Sequence, residues 1–408
     1  MSSNSNINEI KKRKALFSAK VIPWFEGFSD DLIFYIAINT LFLTIVKNFS
    51  SSQISLFTSV PCLCYIILQP IFLKIIKKIR NKKSVIIGCL MLLLGSIIIT
   101  FAKSFYIVMI GQILYTLAFL FKTMDTVMLK NNLIYLNKEN EYVSYANKAS
   151  IIYSISTTII ALFSGYLFKL NNYLPMYCGI LICLVNLIIS FMLDEQIIDN
   201  NFTDKINQNE KVKVSKIILL IMISYGLFYS TIGRGQANSK LLIQYSLNEY
   251  FDVGKTAIYF SYILVLSRIT RVLASLLFNK IYSKLKEKMG YYLTIICGNA
   301  FLFIILGYFI PNIIFKFTLM SLGFCLILGI RDIFRTYSKD LVLKNSKVSE
   351  QQTFISYLGL ARKIGETILS FGFSMVLLKF ELIHVIFILL ILSGISFMVN
   401  YKLYKKLN

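Results

Sequence analysis

The stretch that decides the fold runs from Ile22 to Val46 and reads IPWFEGFSDDLIFYIAINTLFLTIV. It is apolar and long enough to cross a bilayer, because about 20 helical residues at about 1.5 Å each span a hydrocarbon core of about 30 Å. Yet it carries three acids, Glu26, Asp30 and Asp31. Carboxylates inside a membrane are costly and often mark a functional site. They could instead lie at the interface, where a helix N-terminus favours negative charge, so both interpretations stay open.

Composition predicts an integral membrane protein. Of its 408 residues 56% are hydrophobic and only 15% are charged, whereas a soluble globular chain has about 25% charged residues. The net charge of +23 comes largely from basic residues in short loops between apolar runs, so we predict no nucleic-acid partner. All seven cysteines fall within predicted spans and the chain has one histidine, so we predict no disulfide framework, metal centre or cofactor.

Apolar runs bounded by polar residues predict an all-α integral membrane protein with twelve transmembrane helices. The predicted spans are 22–46, 53–76, 84–102, 105–129, 144–168, 175–193, 215–237, 255–277, 291–310, 313–335, 352–377 and 382–401. The longest polar stretch after the N-terminus, 194–214, divides them six and six and is interpreted as a cytoplasmic linker. This gives a tail 1–21, a bundle 22–193, a second bundle 215–401 and a tail 402–408.

An internal repeat supports the two halves. The run FKTMD at 121–125 recurs as FRTYS at 334–338, and LKN at 129–131 recurs at 343–345, with offsets of 213 and 214 residues. The offsets align span four with span ten, so we predict two pseudo-symmetric six-helix bundles, as in transporters built from repeats. Lysines and arginines concentrate in the two tails and in the loops 77–83 and 280–288, which predicts cytoplasmic termini in a cell membrane.

Twelve spans, a six-plus-six division and a basic loop after spans two and eight resemble the major facilitator superfamily. In that family the loop after span two reads Gly-x-x-x-Asp-Arg-x-Gly-Arg-Arg. Here the corresponding stretch is LKIIKKIRNK, with Lys77 and Lys78 in place of the Asp-Arg pair, and Lys284 holds a matching position in the second half. The resemblance implies an inner-gate role for these lysines. It also places Gln112 near a family arginine of span four, and Asp125 at an acid that ends span four in one branch.

We see no nucleotide-binding loop, so transport would depend on an ion gradient or run downhill. Burial raises the pKa of a carboxyl group, which lets a buried carboxyl bind and release a proton near neutral pH. With a single histidine near the end of span twelve, the candidates for proton coupling are the carboxylates Asp30, Asp31, Glu26 and Asp125.

Several charged or polar residues lie within predicted spans and could line a substrate cavity. The candidates are Arg234, Arg268, Gln112, Arg362 and Glu366. Two pairs, Lys122 with Asp125 and Arg362 with Glu366, are one turn apart, so the spacing favours local ion pairs. Arg331, Asp332 and Arg335 would end span ten, where arginines can also extend to the interface.

The favoured hypothesis is a secondary transporter for proton-coupled efflux of a lipophilic or amphipathic small molecule. The alternative is an uptake permease for an anionic nutrient, and the second alternative is a non-transporting membrane receptor or assembly factor. An enzyme is least supported, because no nucleophile or metal constellation is visible. The expected partners are a small-molecule substrate, protons and membrane lipid, with the chain acting as a monomer.

Overall fold

The computed structural model describes residues 2–29, 31–138, 141–196, 215–346 and 348–407, and every regular element in these ranges is helical. The helices are α1 (Ser2–Ser29), α2 (Ile33–Leu41), α3 (Ser51–Lys78), α4 (Asn81–Phe101), α5 (Phe105–Lys122), α6 (Met124–Tyr135), α7 (Tyr142–Leu170), α8 (Leu174–Met192), α9 (Lys216–Asn248), α10 (Val253–Leu285), α11 (Met289–Phe309), α12 (Ile313–Lys344), α13 (Val348–Val376) and α14 (Leu382–Leu407). A π-helical turn, Phe42–Val46, continues α2, and a short 3₁₀ turn, Lys286–Lys288, precedes α11.

The predicted twelve-span fold is confirmed. Span one consists of α1 and α2, span four of α5 and α6, and each other span of one helix. Eleven segments of the described chain are long and apolar enough to cross a membrane. The remaining span is α13, whose 29 residues include Arg362, Lys363 and Glu366. These charges lower its hydropathy, although its length suffices to span a bilayer.

Two helices of the second half extend well beyond their predicted ends. We predicted that span seven ends at residue 237 near Gly233, Arg234 and Gly235, but α9 continues without interruption to Asn248. Gly235 serves packing rather than termination, because a Cβ atom there would lie 2.6 Å from the ring of Phe301. Helix α12 also continues past the predicted end at residue 335.

Span one, predicted at residues 22–46, is interrupted within the span. Helix α1 ends at Ser29 and α2 begins at Ile33. The side chains at the interruption bond to nearby backbone groups: Ser29 Oγ donates to the carbonyl of Phe25 at 2.6 Å, and Asp31 Oδ1 accepts from Leu32 N at 2.9 Å. Such local bonds compete with the helical pattern, which explains an interruption at this point.

The chain forms two compact units. The first unit comprises Met1–Ile38 and Ile67–Lys211, and the second comprises Asn39–Ile66 and Val212–Asn408. In the first unit α1 packs against α7 and α6, and α4 packs against α5 and α8. In the second unit α9 packs against α12, α13 and α14, and α11 against α12 and α14. The predicted linker 194–214 lies outside the described residues from 197 onward.

Candidate functional site

A buried ion pair lies where the two helices of span four meet. Lys122 ends α5 and Asp125 lies in the first turn of α6, and Lys122 Nζ is 3.1 Å from Asp125 Oδ2. Each side chain is only 2% exposed. The charges suit the helix dipoles, since a cation is stabilised at a helix C-terminus and an anion at an N-terminus. The local pair favoured by the spacing is therefore formed.

The acids of span one contact span four. Thr126 Oγ1 of α6 donates to Glu26 Oε1 at 3.4 Å, and the hydroxyl of Tyr115 in α5 donates to Asp31 Oδ1. Glu26 and Asp31 are both half-buried. Asp30 lies outside the described residues. Asp31 therefore joins the interruption of span one to the middle of span four, a contact that sequence spacing could not predict.

Gln112 of α5 is half-buried, and its buried Oε1 atom accepts no hydrogen bond from the described residues.

The lysines predicted to have an inner-gate role lie at helix ends. Lys78 and Lys284 are exposed in the last turns of α3 and α10, as loop residues would be. Lys77 also belongs to α3, but its side chain lies outside the described part of the structure.

In the second unit, Glu366 of α13 is surrounded by positive charge. Its side chain is 3% exposed, and Oε1 accepts from Arg362 Nε at 2.7 Å, so the predicted pair is formed. Lys363 Nζ lies 3.3 Å from Oε2, and Cys62 Sγ of α3 lies 3.9 Å from the same oxygen. A carboxylate is held in a membrane span only by such charged partners, since desolvation of an unpaired ion is costly.

Arg234 lies in the middle of α9 and contacts α13. Its Nη1 atom donates to Ser370 Oγ at 3.0 Å, and its charge attracts the carboxylate of Glu366. The two helices approach closely because of two glycines: a Cβ atom on Gly365 would lie 2.5 Å from the carbonyl oxygen of Gly226. Small residues allow this approach, which brings Arg234 within reach of α13.

The guanidinium group of Arg362 stacks on an aromatic cluster. It lies 4.8 Å from the ring centroid of Tyr229, which stacks in turn on Tyr225 with centroids 4.9 Å apart. Phe334 of α12 also stacks on Tyr225, with ring centroids 6.1 Å apart. A cation over an aromatic face is stabilised by the ring quadrupole. The buried rings therefore fix the position of Arg362.

A second charged cluster surrounds Asp332 of α12. Arg271 of α10 donates to Asp332 Oδ2, and Asp332 Oδ1 lies 3.7 Å from Arg331 Nε and 3.4 Å from Arg335 Nη2. These residues were predicted to end span ten, but α12 continues to Lys344, so they lie within the helix. Span ten was predicted to end early because these charges interrupt the apolar run. Ion pairs offset part of the free-energy cost of burying such charges in the membrane.

Arg331 also reaches α9, since its Nη1 atom donates to Gln236 Oε1 at 2.7 Å. Arg268 is half-buried in α10, one turn before Arg271. Four helices of the second unit, α9, α10, α12 and α13, thus contribute arginines from their membrane-spanning parts. Sequence spacing found Arg234, Arg268 and Arg362 as cavity candidates but missed the bonds of Arg331, because those bonds join residues 95 positions apart.

Residues 39–66 belong to the second unit and are called here the 39–66 segment. This segment forms hydrogen bonds with α9 and α13 through small polar side chains. Lys240 Nζ donates to Asn39 Oδ1, and Ser55 Oγ donates to the carbonyl of Ser370 at 2.8 Å. Lys240 is only 6% exposed. No sequence signal identified these contacts, because serine and asparagine are common at span ends.

Comparisons with known proteins agree with this architecture. The family model described as Major Facilitator Superfamily matches residues 24–370. A search of curated protein sequences finds no match. Among solved structures, the nucleoside transporter NupG has a TM-score of 0.69 at 12% identity, over 95% of this chain and 98% of that chain.

Two further solved structures share the fold. A bacterial homologue of the human lysosomal transporter Spinster, in an inward-facing and unoccupied conformation, has a TM-score of 0.68 at 10% identity, over 97% of each chain. A bacterial homologue of the iron transporter ferroportin, in an inward-facing state, has a TM-score of 0.64 at 12% identity, over 97% of this chain and 98% of that chain. At these identities the likeness concerns the fold alone.

Proposed function

The chain belongs to the major facilitator superfamily, and on that premise we propose that it is a proton-coupled secondary active transporter that works by alternating access rather than an enzyme. The observation that carries the coupling is Asp31, a half-buried carboxylate at the interruption of span one that accepts a hydrogen bond from Tyr115 of span four. Interrupted helices and intramembrane acids are where transporters bind coupling ions. Glu26, which accepts a hydrogen bond from Thr126 of span four, and Asp125, the residue before Thr126, are further candidates.

For the substrate and direction, we propose export of an amphipathic organic compound from the cytoplasm, with both termini on the cytoplasmic side of the cell membrane. Buried aromatic rings such as Phe228, Tyr229 and Phe334 support an apolar interior. The second candidate is uptake of an anionic nutrient. It is favoured by the arginines of the second unit, because guanidinium groups bind carboxylates and phosphates.

The experiment uses the full chain in proteoliposomes that contain a pH-sensitive dye. A pH gradient is imposed, and transport is measured for an amphipathic fluorescent dye and for radiolabelled succinate. We expect uphill movement of one probe, coupled to proton flow that Asp31→Asn abolishes. Movement of neither probe, or uphill movement with no change in internal pH, would contradict proton-coupled transport. The direction of proton flow relative to the probe separates export from uptake.

A further inference from the structure

We propose that Arg234, Arg331 and Arg362 form a site for the oxyanion group, carboxylate or phosphate, of a small free solute. The proposal rests on the proposed transport function and names the chemical class of its substrate. The three arginines come from α9, α12 and α13, all within the second unit.

The charge balance around Glu366 favours a bound anion. Glu366 interacts with three cations, Arg362, Lys363 and Arg234. Glu366 neutralises one of these positive charges, so among the described residues this cluster keeps an excess of two. Excess charge within a membrane-spanning region is costly, and a bound anion would lower that cost.

Buried guanidinium donors without acceptors also favour an oxyanion. The Nε atoms of Arg234 and Arg331 are buried, and none of the described residues accepts a hydrogen bond from them. Asp332 Oδ1 lies 3.7 Å from Arg331 Nε, too far for a hydrogen bond. A buried donor without an acceptor is energetically unfavourable. Two such donors on separate helices favour a ligand that supplies oxygen acceptors.

Arg331 and Arg362 both contact α9, at positions two turns apart: Arg331 bonds to Gln236 and Arg362 stacks on Tyr229. Their like charges repel each other. The bond from Arg331 to Gln236 holds the first guanidinium, and Tyr229 and Glu366 hold the second. Two fixed guanidinium groups that repel each other suit an oxyanion between them, because each can donate two parallel hydrogen bonds.

Depth favours a free solute over a lipid headgroup. Each of the three arginines lies at least 13 residues from either end of its helix. At about 1.5 Å per residue, this places them about 20 Å from the helix ends. Lipid phosphates lie at the surfaces of a hydrocarbon core about 30 Å thick, not at its middle.

The test measures ligand binding to the purified full chain in a neutral detergent. Thermal unfolding is followed with succinate, inorganic phosphate and the neutral diamide of succinate, and affinity is measured by calorimetric titration. We expect succinate or phosphate to raise the melting temperature in a concentration-dependent way, while the diamide has no effect. We expect Arg331→Gln and Arg234→Gln to weaken anion binding at least tenfold.

The matched control is Arg335→Gln, one turn further along α12, where the side chain is 45% exposed. It should bind the anion as the unchanged chain does. If Arg331→Gln does not fold, Arg331→Lys keeps the charge, and it should still weaken binding because it loses the forked donor geometry. Equal stabilisation by the diamide, equal loss in Arg335→Gln, or no effect of either anion overturns the proposal.

A second arm separates the sources of the oxyanion. The same chain is titrated with vesicles of phosphatidylglycerol and of phosphatidylcholine. Stabilisation by phosphatidylglycerol that Arg331→Gln abolishes, without any effect of succinate or phosphate, would assign the site to a lipid headgroup and overturn the free-solute proposal. Binding in detergent needs no pH gradient. A failure of proton-driven transport can therefore be told apart from a failure of anion binding.

Discussion

Ser52 and Ser374 hold each other by reciprocal hydrogen bonds: the hydroxyl of each donates to the backbone carbonyl of the other, at 2.9 and 3.1 Å. Their hydroxyl oxygens are 3.0 Å apart. Ser52 belongs to the 39–66 segment and Ser374 to α13. Several short, neutral bonds of this kind are individually weak, about 0.5–1.5 kcal/mol each, so they can form and break at little cost.

We therefore predict that the 39–66 segment separates from α13 during transport. In the double variant Ser52→Cys/Ser374→Cys the two sulfur atoms would be close enough to form a disulfide. Oxidation should reduce transport in proteoliposomes at least tenfold, and dithiothreitol should restore it. Each single variant is the control and should be insensitive to the oxidant. A cross-linked protein that transports at the normal rate would show that the contact is static.

The ion pair of Lys122 with Asp125 gives a prediction about stability. Asp125→Asn removes the carboxylate that faces the buried ammonium group of Lys122, so we expect the free energy of unfolding to fall by about 3–5 kcal/mol. The double variant Lys122→Met/Asp125→Leu removes both charges and should recover most of that loss. Thermal unfolding in detergent measures both effects. A double variant as unstable as Asp125→Asn would show that the stabilisation does not come from charge pairing.

The contact of Asp31 with Tyr115 gives a prediction about coupling. Asp31→Asn should abolish accumulation driven by a pH gradient while some downhill exchange remains, because the amide cannot carry a proton. Glu26→Gln should have a milder effect, since the contact of Glu26 with Thr126 is long, at 3.4 Å. Flux into proteoliposomes with and without the gradient measures both. Uphill transport by Asp31→Asn with an unchanged pH profile would show that Asp31 is structural and that coupling resides elsewhere.

The close approach of α9 and α13 depends on Gly365. In Gly365→Ala the added Cβ atom would meet Ser230 Oγ and the carbonyl oxygen of Gly226, the latter at 2.5 Å. We expect a loss of about 1–3 kcal/mol in stability, as is typical of overpacking. Gly359→Ala on the same helix is the control, because a Cβ atom there has no neighbour within 4 Å. Equal melting temperatures of the two variants would contradict this packing role.

The exposed lysines at the ends of α3 and α10 give the last prediction. Lys78→Gln and Lys284→Gln should leave the affinity for substrate unchanged but alter the balance of inward- and outward-open states, because both residues lie far along their helices from the buried clusters. Equilibrium binding measures the first quantity, and labelling of a cysteine introduced at Ser52 measures the second. A loss of affinity with an unchanged labelling rate would contradict an inner-gate role.

The sequence by itself determined the fold class and much of the local pairing. Apolar runs of about 20 residues can satisfy their backbone in a membrane only as helices, so length and composition predicted twelve spans. Pairs one turn apart, such as Arg362 with Glu366, follow from helical geometry alone and are present. Charged residues within a span made its end harder to predict. Span ten was predicted to end at residue 335, but its helix continues to Lys344.

Only the tertiary structure decided which charges from different helices meet. Arg271 with Asp332, Arg331 with Gln236, and Tyr115 with Asp31 join residues 61 to 95 positions apart, and no spacing rule connects them. Their contacts depend on how each helix is rotated about its axis, and that rotation is set by packing details such as Gly365 against Gly226. A hydrophobic pattern determines that a helix crosses the membrane. Because the surroundings of the helix are mostly apolar, the pattern only weakly specifies which side of the helix faces its neighbours.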